Sequence, residues 1–95
     1  MLEVQSTPPT KMDQMREVFL QAHLNGDAIV AVRVEMDEFP EDEIIVNGYA
    51  NIKPKMDYYE KVYGEDLQHK FSPTIRIVAF ASGKSFDEVH QKLHK

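Results

Sequence analysis

The residues whose types and spacing come nearest to metal chemistry are Asp87, His90 and His94. On a helix, positions i, i+3 and i+7 share a face, and the step from His90 to His94 presents two imidazoles to one ion. No HExxH glutamate accompanies them, and histidines in a last helical turn already complement the negative end of the helix dipole. The three are weak metal candidates, and the expectation is that the chain holds no metal and no cofactor. His23 and His69 stand alone and are expected as surface or partly packed imidazoles. The run Ser82-Gly83-Lys84-Ser85 carries only the end of a phosphate-binding loop. The earlier glycine is missing, so no amide cradle can form, and a turn plus helix cap accounts for the run. A helix start beside Lys84 can still attract an anion. With no cysteine in the chain there is no thiolate nucleophile, no disulfide and no cysteine zinc site.

Two surfaces carry more information. The first is the acidic run Glu35, Asp37, Glu38, Glu41, Asp42 and Glu43. Like charges this dense cannot be buried together, so they must lie on a solvated connection. Such a tip can be no more than a solvated loop, or it can steer a basic protein surface. Pro40, with no glycine between 37 and 43, argues against the EF-hand form of a calcium loop. The second surface is a strand face on which Arg33, Tyr49, Arg76, Val78 and Phe80 alternate with buried positions. Arginine with aromatics suits base stacking on single-stranded nucleic acid. Adding Ile29, Ala31 and Ile45 makes an apolar patch that a monomer rarely exposes, which points to self-association.

These residues need a sheet to position them. Over 28–36, Ala28, Val30, Val32, Val34 and Met36 alternate with Ile29, Ala31, Arg33 and Glu35, the period of a strand. Over 44–52, Ile44, Val46, Ala50 and Ile52 alternate with Ile45, Asn47, Tyr49 and Asn51. The short linker predicts an antiparallel hairpin, because a parallel return needs a crossover of a dozen or more residues. Gly48 marks a bulge or close approach. A third strand is expected over residues 74–81, with Ile75, Ile77, Ala79 and Ala81 on one face and Arg76, Val78 and Phe80 on the other.

Around this sheet, Thr10 with Asp13 signals a helix start, and Asn25-Gly26 an end. Met12, Met15, Phe19 and Ala22 make its inner stripe. Ser85 with Glu88 predicts a capping box before Phe86, Val89 and Leu93. A strand over residues 2–6 and a helix over 55–63, with Met56, Tyr59, Val62 and Tyr63 at helical spacing, complete the expectation. The alternative to that helix is an ordered loop from Lys53 to Ser72.

The fold class is therefore α+β: one domain over residues 1–95, an antiparallel sheet of three to four strands with helices on one face, in the order (β)αββ(α)βα. With both bracketed elements the first six follow the ferredoxin-like order; with neither, the order is α-β-β-β-α, that of double-stranded-RNA-binding modules. Neither order by itself implies a function. Eleven basic against sixteen acidic residues give a net charge of −5, which disfavours binding to phosphate backbones and favours basic partners. Neither a signal peptide nor a membrane-length apolar run is seen, so a cytoplasmic protein is expected. The expected function is a small non-enzymatic interaction or regulatory module. It would self-associate through the sheet and present the acidic loop to a basic protein partner. The alternative is an RNA- or single-stranded-DNA-binding module, and a third possibility is an enzyme with a site at an oligomer interface.

Overall fold

A computed structural model describes residues 8–94. The first helix, α1 (Lys11–Asn25), starts where the capping chemistry places it. The Thr10 hydroxyl accepts from the Asp13 N–H at 3.0 Å, and the Asp13 carboxylate accepts from the Thr10 N–H at 3.0 Å. Both donors would otherwise lack partners at the helix end. Gly26, at φ +67, closes the helix by donating to the Ala22 and His23 carbonyls. Met12, Met15, Phe19 and Ala22 form its buried stripe.

Three strands follow, β1 (Ile29–Met36), β2 (Glu43–Gly48) and β3 (Ile75–Gly83), all antiparallel in the order β2-β1-β3. Between β2 and β3 lie a 3-10 turn (Tyr49–Asn51) and α2 (Ile52–Val62); after β3 comes α3 (Phe86–Leu93). The element order over the described residues is thus αββαβα. The helix expected over 55–63 is present and begins earlier, at Ile52, so the order without it is set aside. The strand expected over residues 2–6, which the ferredoxin-like order requires, lies outside the described residues. No helix among the described residues is long and apolar enough to cross a membrane.

The sheet departs from the sequence reading in three ways. First, the strand expected to run to residue 52 ends at Gly48. Ile52, Met56 and Tyr59 are buried at helical spacing, and Pro54 falls in the first turn of α2, where its missing N–H has no intrahelical bond to lose. Second, β2 shows its faces inverted. The register pairs Val32 with Ile45 and Arg33 with Ile44, so Ile45 joins the valine face of β1 while Ile44 and Val46 lie on the other. A side-chain period of two makes this a consequence of one residue in the turn.

Third, β3 changes face midway. Arg33 pairs with Ala79 but Val34 with Ile77, leaving Val78 as a bulge. Ile75, Ile77 and Phe80 therefore pack with α1 and α2 around Val30, Val32 and Val34, a core that also includes Phe19, Met56 and Tyr59. Ala79 and Ala81 turn the opposite way. There they meet Ile29, Ala31 and Ile44 beneath Val89 and Leu93 of α3. The helices consequently occupy both faces of the sheet rather than one. At Ala31, Ala79 and Ala81 the sheet presents only methyl groups to α3.

The long connection after α2 is ordered by backbone bonds. Gly64 donates to Gln68, Lys70 to Val62, His69 to Ile75 and Ile77 to Leu67, all at 2.8–2.9 Å. Leu67 adopts φ +63, an uncommon conformation for a leucine, and is 1% exposed, held there by burial in the main core.

Candidate interaction site at the hairpin tip

The β1–β2 connection, residues 37–42, is pinned at its base. Asp37 donates its N–H to the Thr74 carbonyl and Phe39 to the Met36 carbonyl, each at 3.1 Å. Side chains complete the anchor. Arg76 of β3 bonds Glu35 and also Asp37, the latter at 3.0 Å, and this double engagement raises the guanidinium pKa above its usual value. Arg33 lies 3.6 Å from Asp42, a charge pairing too long for a hydrogen bond.

The six carboxylates thus divide into two groups. Glu35, Asp37 and Asp42 are matched by arginines of the sheet. Glu38, Glu41 and Glu43 are exposed and have no ion-pair partner among the described residues. Amid the second group Phe39 stands 59% exposed. With Met36, Pro40, Glu41, Asp42 and Glu43 it borders a shallow open hollow. Sequence reasoning missed Phe39, although a phenylalanine between glutamate and proline in an acidic loop is itself an available signal.

The expected sheet-face group does not come together as one surface. Arg33 and Arg76 lie on the α3 side of the sheet and are tied to loop carboxylates. Phe80 faces the opposite way, into the main core. Val78 is the exposed bulge residue. Tyr49 belongs to the 3-10 turn and stacks on His23, ring centroids 5.4 Å apart and nearly parallel at 7°. The patch anticipated from Ile29, Ala31, Ile45, Tyr49, Val78 and Phe80 is split between two faces, and α3 covers Ile29 and Ala31.

The remaining candidates have structural partners. His90 and His94 have ring centroids 4.5 Å apart, but no group of three ligating side chains, with Asp87 or otherwise, converges among the described residues. His69 accepts from the Phe71 and Ser72 amides through Nδ1 at 3.1 and 3.0 Å. The anion-attracting start of α3 is filled by the chain itself. Ser85 accepts from the Glu88 N–H at 3.2 Å, and the Glu88 carboxylate accepts from Lys84 N–H at 2.9 Å. That is the expected capping box shifted by one residue. It requires Gly83, because a Cβ there would stand 2.8 Å from the Glu88 carboxyl group. The Lys84 ammonium is drawn off to Asp27 at 3.0 Å.

The Lys84 amide, then the Lys92 ammonium, hold the Glu88 carboxyl below its ordinary value of 4.5. Its stabilising contribution is therefore full above that ordinary value and is lost as pH falls through the lower folded value. Glu88→Ala is accordingly expected to be less stable than the native chain at neutral pH, the difference closing in acid. Denaturant melts across that range check it, and a pH-independent difference would show that charge has no part.

Comparison with protein-family models, with curated proteins and with solved structures finds no match to this chain.

Proposed function

We propose that this chain is a small non-enzymatic interaction module whose β1–β2 tip docks a basic surface of a protein partner. The observation that carries the reading is Phe39, largely exposed beside Glu38, Glu41 and Glu43, none of which has an ion-pair partner among the described residues. Aromatic anchors supply much of the energy of an interface, while surrounding charge steers encounter and sets orientation. The tip is also held in place before any partner arrives. Two backbone bonds and the Arg76 clamp fix its base, so little ordering entropy is lost on docking. The nucleic-acid alternative would use Arg33 and Arg76, and both already face carboxylates of this chain.

The test uses the partner captured from the native host, measured against three proteins. Phe39→Ala is expected to weaken binding about thirtyfold, mainly through faster dissociation. Changing Glu38, Glu41 and Glu43 together to Gln is expected to slow association at low salt and much less at high salt, with folding unchanged. An affinity indifferent to both variants would overturn the proposal.

A further inference from the structure

The two edges of the sheet are finished differently. Along β3 the edge is guarded: Val78 bulges, and residues 67–69 pair beside it through Gln68 with Arg76 and the Ile77 and His69 amides. Along β2 no strand pairs with the outer side among the described residues. Beyond Glu43 at its start, its sequence, Glu43-Ile44-Ile45-Val46-Asn47-Gly48, carries no charge, and it has no proline and no bulge, which are among the devices by which natural proteins blunt an open edge. Val46 is 41% exposed on the α3 side, and Ile44 and Ile45 are half-buried.

The flanks of this strand are oppositely charged. Glu41, Asp42 and Glu43 lead into it; Lys53 and Lys55 follow the 3-10 turn that leaves it. Neither lysine makes a salt bridge among the described residues, and Lys55 instead lies over the rings of Tyr58 and Tyr59. An antiparallel neighbour of the same sequence would bring each acidic entry toward the other copy's basic exit. The segments flanking the strand are thus complementary in charge to those of a second copy.

We propose that two copies of this chain pair through β2, joining their sheets into one of six strands. A two-fold axis normal to the sheet keeps each face continuous, so only residues of the same face can stand opposite. Centred on Ile45, it sets Ile44 against Val46 on the α3 side and Glu43 against Asn47 on the other, with no like charges opposed. The hairpin tips then project at opposite ends of the shared strand pair, roughly 35 Å apart at the usual rise per residue. The pair would present its tips bivalently, which raises avidity without new contacts.

Sedimentation and amide exchange test this independently of the tip. The native chain is expected to be dimeric at micromolar concentration, and Val46→Lys to weaken the dimer at least about tenfold while keeping its helix content and melting behaviour. Amides of residues 43–48 are expected to gain protection as native protein concentration rises, and in Val46→Lys to lose that dependence. A native monomer throughout the micromolar range would overturn the proposal. So would a dimer that Val46→Lys leaves intact, with exchange in 43–48 independent of concentration. Because Val46→Lys leaves Phe39 and its carboxylates untouched, the monomer should still bind the tip's partner; failure of the tip reading would appear instead in Phe39→Ala.

Discussion

Tyr59→Phe is expected to stabilise the protein by about 1 kcal/mol, whereas Tyr59→Ala is expected to destabilise it by about 3–5 kcal/mol. The side chain is 1% exposed, with its ring edge-on to Phe19 at 6.0 Å and to Tyr63 at 5.8 Å. Its hydroxyl has no hydrogen-bond partner among the described residues, and burial pushes the phenol pKa well up, so the group is neutral at every working pH. A buried hydroxyl without a partner costs about 1–3 kcal/mol, and phenylalanine removes that cost while keeping the ring. Alanine removes the ring as well. Loss of a buried aromatic costs about 3–5 kcal/mol, against a total of about 5–15 for a domain. Urea melts check both changes, with shifted midpoints and an unchanged slope for Tyr59→Phe. A clear loss of stability in Tyr59→Phe would mean that the hydroxyl is satisfied by a bound water or another group.

Elements set by local chemistry were legible in the sequence. Thr10 with Asp13, Gly26, and Ser85 before Glu88 mark helix ends because their partners lie within a few residues along the chain. Those bonds join residues close in sequence, so their signals can be read without the rest of the fold. What the sequence could not show was which way a strand faces. Ile44 and Ile45 are adjacent and equally apolar, so only the register with β1 decides between them. In β3 the alternation continues unbroken from Ile75 to Ala81, and nothing local announces the bulge at Val78 that divides it. The candidate site shows the same division. The carboxylates were plain, but their pairing with Arg33 and Arg76 depends on strands distant in sequence, and only that pairing singles out Glu38, Glu41 and Glu43.

The face that the sequence offered for self-association is partly occupied by α3, which suggests what happens when that helix is displaced. Val89→Asp is expected to undock α3 and turn the protein into a strongly associating species. Val89 is fully buried and Leu93 1% exposed, against Ala31 and Ala81. A carboxylate at position 89 would have no basic partner in that apolar cluster, and burying it unpaired costs several kcal/mol, more than the small interface of an eight-residue helix can offset. The main core lies on the other side of the sheet, with Val30, Val32 and Val34 directed away from α3, so it should outlast the loss. Amide exchange in 86–93 should then rise to the rate of unstructured chain while α1 and β1 stay protected. Sedimentation should show larger species as Ile29, Ala31, Ala79 and Ala81 become exposed together. The contrary result is a single cooperative loss of protection across all three helices, which would make the two clusters one folding unit. Protection of 86–93 unchanged from the native chain would mean instead that the carboxylate reaches Lys92 or water without leaving its place.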